Sequence, residues 1–330
     1  MPISLVNAQS SDSLNLIIED GYIEKIDNKM VMDLSLNNSF ETFEVKVPGN
    51  RYVIYPNKPN NLRFKFNYRF ITFSFQFAPK FLPGNGDEEL KGKTKTFEIG
   101  PSLIFRHWFL NLEYSKVRGY YLENTDDWID RQKGDPYVQF PDLQYNGFSI
   151  NSGYINNGKF SFRSVTSQTE RQLKSAGSFM PAINVRYYIM DETSGAVNSQ
   201  KSNNFEVSIG PGYAYTFVVK QKYYFSLDLQ GTLGYIDTRL TTRLNTGDYI
   251  SKQDNFIYRW DGRAGLGYNG VRFYSGLFAT ISGTQYHQEN TAASNFETRI
   301  SYHLSVGMRI KSPALIERQV DKIEKKIPKF

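Results

Sequence analysis

LRFKFNYRF (residues 62–70) runs straight into ITFSFQFAP (71–79), and the reading of this stretch decides the fold. In the first half Leu62, Phe64, Phe66, Tyr68 and Phe70 alternate with Arg63, Lys65, Asn67 and Arg69. In the second, Ile71, Phe73, Phe75 and Phe77 alternate with Thr72, Ser74, Gln76 and Ala78. Period-two alternation gives an extended strand one apolar and one polar face. The phase slips once, at Phe70–Ile71, without a Gly or Pro, which predicts a hairpin with a very short turn. Each arm has about nine residues, enough for a tilted strand to cross a bilayer, against about 5–6 in an average soluble strand. The stretch is expected to be one hairpin of a transmembrane β-barrel.

The unit recurs along the chain. Phe97, Ile99, Leu103 and Phe105 share a face in 94–106, with Glu98 and Arg106 opposite. Phe205, Val207, Ile209, Pro211, Tyr213, Tyr215 and Phe217 form an unbroken apolar row. Tyr223, Phe225, Leu227, Leu229, Leu233 and Tyr235 oppose Ser226, Asp228 and Gln230, and Tyr258, Trp260, Ala264 and Leu266 oppose Arg259, Asp261 and Arg263. Asn157-Gly158 predicts a hairpin between 144–155 and 160–168, and Lys220-Gln221-Lys222 and Asn269-Gly270 predict two further tight turns. Long polar segments at 121–143, 191–204 and 237–254 broadly alternate with these turns, as connections on the two sides of a membrane barrel do. Pro48-Gly49-Asn50 reads as a turn or bulge within a first crossing at 40–55.

About thirteen strands result, and bacterial barrels use even numbers. The expectation is all-β: a transmembrane antiparallel up-and-down β-barrel of about 12–14 strands over residues 39–311. Residues 10–38 read as a periplasmic lead-in. Residues 1–9 read as the remnant of a signal peptide that starts upstream, an ordinary N-terminus being the alternative. Ile316, Val320, Ile323 and Ile327, spaced 4-3-4 among charged residues, predict a periplasmic amphipathic helix in 312–330.

Composition narrows the function classes. The 330 residues include 25 Phe and 23 Tyr, which suit lipid-facing bands and interfacial girdles. Mean hydropathy is −0.49 and no run of 18 apolar residues occurs, so no transmembrane helix is expected. With no Cys in these residues, no disulfide, thiolate metal site or lipidated cysteine anchor is expected. A net charge of +6, spread along the chain, gives no footing for nucleic-acid binding.

Which way the faces point decides between membrane and water. The polar rows carry Arg63, Lys65, Arg69, Glu98, Arg106, Glu113, Arg163, Arg186, Glu206, Asp228, Arg259, Asp261, Arg263, Arg272, Glu297, Arg299, His303 and Arg309. Such charges at strand centres, beside Gly100, Gly210, Gly265 and Gly267, suit a curved internal surface. Rings from every strand would overfill a closed soluble core, whereas facing lipid they cost nothing in packing. A soluble β-sandwich is the competing fold. The orientation expected is apolar rows toward lipid and these ions lining the lumen.

Several short runs carry a family resemblance: Tyr55-Pro56-Asn57 ahead of Tyr68-Arg69-Phe70, Asn157-Gly158-Lys159-Phe160-Ser161, Gln172-Leu173-Lys174-Ser175-Ala176-Gly177-Ser178-Phe179, and Gly212-Tyr213-Ala214-Tyr215-Thr216. Over roughly residues 20–310 the chain resembles an outer-membrane barrel family of Bacteroidetes, catalogued as domain of unknown function 4421. The resemblance implies a bacterial outer-membrane location and a barrel; it brings no activity and no site residues. The last strand, Ser305-Val306-Gly307-Met308-Arg309-Ile310, also resembles the signal read by barrel-assembly machinery.

Catalytic chemistry has little support. His303 and Ser305 share a strand face, an arrangement similar to that of outer-membrane lipid A deacylases, but their parity with Arg299 and Arg309 points them into the lumen. His107 and His287 have no metal-ligand spacing. No enzyme, cofactor or metal is therefore expected. The lumen residues hold roughly twice as many basic as acidic groups, which favours a narrow pore or transporter for small polar or anionic solutes. The alternative is a non-conducting structural or interaction barrel whose ions pair across strands and whose loops, or C-terminal helix, hold a periplasmic or surface protein. Expected partners are outer-membrane lipid and the assembly machinery, with no nucleic acid.

Overall fold

The computed structural model describes residues 17–26, 29–69, 71–287 and 292–324. The N-terminal half contains β1 (Ile17–Glu19), β2 (Ile23–Lys25), β3 (Lys29–Val47), β4 (Asn50–Tyr55), β5 (Asn61–Tyr68), β6 (Ile71–Phe77), α1 (Glu88–Lys91), β7 (Lys95–Ile99), β8 (Ser102–Ile104), β9 (Trp108–Leu122) and β10 (Gln139–Tyr154). There follow α2 (Arg163–Thr166), β11 (Glu170–Gln172), β12 (Ala176–Phe179), β13 (Ala182–Glu192), β14 (Gln200–Gly210) and β15 (Gly212–Val219). The chain ends on β16 (Tyr223–Leu244), β17 (Gly247–Asn269), β18 (Phe273–His287), β19 (Ser294–Lys311) and α3 (Ala314–Glu324).

Ten strands, β3, β4, β9, β10, β13, β14, β16, β17, β18 and β19, close into an antiparallel up-and-down ring. The last joins the first from Ser294↔Lys46 to Lys311↔Lys29. Side chains alternate across this wall as the sequence patterning requires. Leu233 is 70% exposed on the outside, while Thr232 and Glu206 are 1% exposed within. On β16 the outer row runs from Tyr223 through Leu227, Leu229 and Leu233 to Tyr235, an aliphatic centre between aromatic rims. Twelve strand steps between those tyrosines span roughly 40 Å, or roughly 28 Å along the membrane normal at a typical tilt, which matches the apolar band of a membrane barrel.

The opening hairpin is as read: β5 and β6 pair from Leu62↔Phe77 to Tyr68↔Ile71, with Phe70 outside the described residues. Other boundaries differ. Strand β3 begins at Lys29, inside the segment read as lead-in, and Pro48–Gly49 is the turn between β3 and β4 rather than a bulge in one crossing. Residues 237–254 are no loop; β16 and β17 continue pairing up to Leu244↔Gly247. Above the apolar band both faces of a strand are wet, so alternation fades while the ladder persists. The predicted signal remnant at 1–9 lies outside the described residues.

The ring has fewer strands than expected because two stretches do something else. Strands β5–β6 and β7–β8 are leaves attached below the β4–β9 junction, which is made by Ile54↔Leu122 and Tyr55↔Tyr121. Residues 160–168, read as the second arm of an Asn157-Gly158 hairpin, turn into the barrel instead. There α2 and the small sheet β1–β2–β11 form a plug at the short-turn end. Phe160, Phe162 and Val165 pack with Phe109, Ile155, Met180, Tyr224 and Phe278 of the wall. Gly267 and Gly276, paired across β17–β18, leave room for Tyr224; a Cβ on either would sit 2.8 or 2.6 Å from its hydroxyl.

Buried polar locks hold the plug. Arg171 pairs with Glu24 and donates to the carbonyls of Asn269 (2.9 Å) and Gln221 (3.0 Å). Arg309, on the last strand, donates to the Gln168 carbonyl (2.9 Å), the Asn269 side chain (2.7 Å) and the Gly270 carbonyl. At the other end, Val117, Tyr120, Tyr145, Tyr188, Ile236 and Ile257 make a second, tyrosine-rich inner layer.

The expected C-terminal helix is present as α3. Val320 is buried, and Asp321 accepts from Arg69 at 2.6 Å across the β5–β6 turn. Because this pair is half-exposed, Asp321→Asn is expected to cost no more than about 1 kcal/mol. Chemical denaturation in micelles should show that small change, and a loss above about 2 kcal/mol would mean the helix is anchored chiefly by this contact.

Candidate functional site: the ionic lumen

Between the plug and the tyrosine-rich layer lies a polar cavity of about 420 Å³. Inward positions of neighbouring strands fill its walls in register: Glu113 stands opposite Ser149, Ser149 opposite Arg186, and Arg186 opposite Glu206. Arg186 dominates the space. Its Nε donates to Glu206 at 3.0 Å on the adjacent strand, and its other nitrogens reach Glu41 of β3 (2.7 Å) and Glu297 of β19. In ring order β13 and β19 are diametrically opposed, so the guanidinium is a strut across the barrel. Tyr188 also donates to Glu297. Arg259 chelates Asp261 at 2.9 and 3.1 Å, and Arg299 pairs with Glu113 at 2.7 Å.

The cavity does not carry the expected basic surplus. Glu41, Glu113, Glu206, Asp228, Asp261 and Glu297 line it against Arg186, Arg259, Arg263 and Arg299. Glu41, on the first wall strand, was missing from the sequence reading.

The other predicted lumen residues scatter. Arg63 and Lys65 lie on the inner face of β5, where Arg63 donates to Gln76 at 2.9 and 3.0 Å. Arg69 leaves the lumen for α3. Glu98 pairs with Lys58 at 2.6 Å. Arg106 and Arg272 are exposed at turns, because 105–107 and 270–272 are connections rather than strand. Arg163 belongs to α2, where it donates to the Ile104 carbonyl (2.6 Å) and approaches Glu170 (3.5 Å). Arg309 is spent on the plug. His303 stacks on Phe278 at 4.6 Å between ring centres, and Ser305 donates to the Gly276 carbonyl (3.4 Å) rather than to the imidazole.

A family model described as a domain of unknown function, DUF4421, matches residues 12–309. The chain belongs to this family. No curated protein matches it. Among solved structures it is similar to the outer membrane protease OmpT of Escherichia coli, at 8% identity and a TM-score of 0.43, covering 87% of this chain and 98% of that one. It is also similar to the translocator domain of the autotransporter NalP of Neisseria meningitidis (6% identity, 86% and 88% covered, TM-score 0.30). The Pseudomonas putida toluene transporter TodX is a third (9% identity, 86% and 89% covered, TM-score 0.29).

Sequence reasoning also missed an amide ladder on one inner face. Asn111 donates to Asn151 (3.2 Å) and Asn151 to Asn184 (2.6 Å). Strand parity could have found these, since each shares a face with Glu113, Ser149 or Arg186. Outside the wall, the 123–138 loop is ordered by its own contacts. Trp128 stacks on Tyr52 at 4.5 Å, and Arg131 lies over Tyr137 at 3.9 Å. The hydrogen bond from Arg131 holds Asp126 below the usual carboxylate range. Among the described residues, no group of His, Asp and Glu is arranged to hold a metal.

Proposed function

We propose that the protein works in the bacterial outer membrane as an axially closed barrel, a structural or partner-holding scaffold and not an enzyme or an open anion pore. The observation that carries this reading is the Arg186 strut with its three carboxylates, seated between an apolar plug and a tyrosine-rich layer. A solute moving along the axis would have to displace Arg171 and Arg309 from buried carbonyls and then break the strut. Each step leaves a desolvated ion without its partner. The outer apolar rows support contact with membrane lipid, and the last strand supports recognition by assembly machinery. Trp128 and Ile129, exposed on the ordered 123–138 loop, offer a surface to a protein partner.

Planar bilayers test the reading. Purified protein inserted under a KCl gradient is expected to give no steady unitary conductance. Stable single-channel steps with a defined reversal potential would overturn it.

A further inference from the structure

The wall is not sealed all the way round. Among the described residues β6 pairs with β5 alone, while β7 and β8 pair with β9 alone, so two strand edges face each other without a shared ladder. Both faces of the strands beside this seam are exposed. Ser74, Phe75, Gln76 and Phe77 are open on one side, as are all of β7 and Gly100 to Leu103 on the other. The seam is stitched above by Lys58–Glu98 and by Asn57, whose backbone N–H donates to Thr94 (2.8 Å) and whose side chain donates to the Gly92 carbonyl (2.9 Å). Below, it ends on the plug, where Asn67 donates to the Ser167 carbonyl and Arg163 to the Ile104 carbonyl. Gly100 and Ser102 line both the seam and the central cavity, so the cavity meets the membrane sideways.

Free strand edges in hydrocarbon leave N–H and C=O groups unsatisfied, so such a gap is stable only when water or a polar group fills it. The side chains behind it indicate which group. Arg186, Arg259 and Arg299 are all in salt bridges, whereas Arg63, Lys65 and Arg263 are in none among the described residues. On the inner face Arg63 and Lys65 of β5 stand two strands to one side of His303 on β19, and Arg263 of β17 stands two strands to the other. The nearby carboxylates are Asp33, opposite Lys65 in register and already accepting from Tyr274 at 2.9 Å, Glu98, paired with Lys58 at 2.6 Å, and Asp228, opposite Arg263 in register. Phe75 and Phe77 on one lip, with Phe97 and Ile99 on the other, carry apolar surface from the seam out into the lipid layer.

We propose that the seam between β6 and β7–β8 is a lateral binding site for an anionic amphiphile, with its acidic headgroup against Arg63, Lys65 and Arg263 and its acyl chain left in the membrane. The site deepens the scaffold reading, since an axially closed barrel offers its lumen only from the side. The headgroup is a phosphate or carboxylate, and the attached chain is what separates a lipid from a free anion.

The test titrates the full chain, in a neutral maltoside detergent, with dodecyl phosphate, inorganic phosphate and dodecanol. Dodecyl phosphate is expected to bind at least tenfold more tightly than either of the others. Arg63→Ala with Lys65→Ala should weaken it at least tenfold, and Arg263→Gln severalfold, in protein whose strand content by circular dichroism is unchanged. Should the double variant fail to fold, Arg263→Gln and Lys65→Gln singly carry the same comparison. Equal binding of inorganic phosphate, equal binding of dodecanol, or indifference to all these charge changes would overturn the proposal. A barrel that conducts along its axis yet binds dodecyl phosphate through Arg63 would remove the scaffold reading and leave the seam. A silent barrel that ignores dodecyl phosphate would do the reverse.

Discussion

Arg186→Met is expected to lower the unfolding free energy of the barrel in micelles by about 3–5 kcal/mol, the cost of taking one partner from a buried ion cluster. The size follows from what is left behind. Glu206 is 1% exposed and Glu297 7% exposed; Glu297 would lose its guanidinium, and Glu206 would keep the more distant Arg259 at 3.9 Å. Methionine fills a similar length but donates nothing. Removing the stranded charge as well should recover much of the loss, so Arg186→Met with Glu206→Gln and Glu297→Gln is expected to be markedly more stable than the single variant. Urea titration followed by tryptophan fluorescence, on all three proteins in the same detergent, makes the comparison. A single variant within about 1 kcal/mol of the parent would mean that the strut is solvated and adds little.

The second large effect tests the outward direction. Leu229 is the centre of the β16 outer row, 56% exposed and flanked by Leu227 and Leu233. Leu229→Arg is expected to cost about 2–4 kcal/mol in a bilayer, the penalty for an arginine near the midplane of a barrel exterior. Gln230→Arg, one residue on, faces the cavity and should cost much less in the same assay. The comparison is made by reversible folding into phosphatidylcholine vesicles. Equal costs at the two positions, or a cheaper Leu229→Arg, would mean that the wall does not meet lipid on this face.

Much of the barrel was legible because a strand in a membrane wall writes its environment at every second residue. Leu62 to Phe77 reads correctly from alternation alone, and so does the parity that puts Arg186, Glu206, Asp228 and Arg299 inside. The plug was not legible. Phe160 and Phe162 also sit two apart, after a strong Asn-Gly turn, and nothing local distinguishes rings packed on an inner plug from rings facing lipid. The strut was hidden for a different reason: Glu41, Arg186, Glu206 and Glu297 meet across the lumen from four separate strands, so no spacing links them. Strand count failed where the wall branches, because β5–β6 alternates as a ring strand does but pairs on one side alone.

Arg309 sits on β19, the strand that joins the chain's end to its beginning, yet its guanidinium is satisfied by Gln168, Asn269 and Gly270. Docking that strand without residues 163–172 in place would take the Gln168 carbonyl from the guanidinium and leave it the Asn269 side chain and the Gly270 carbonyl. Zipping the cylinder shut and corking it are thus thermodynamically coupled: a variant that ejects the cork also loosens the hoop.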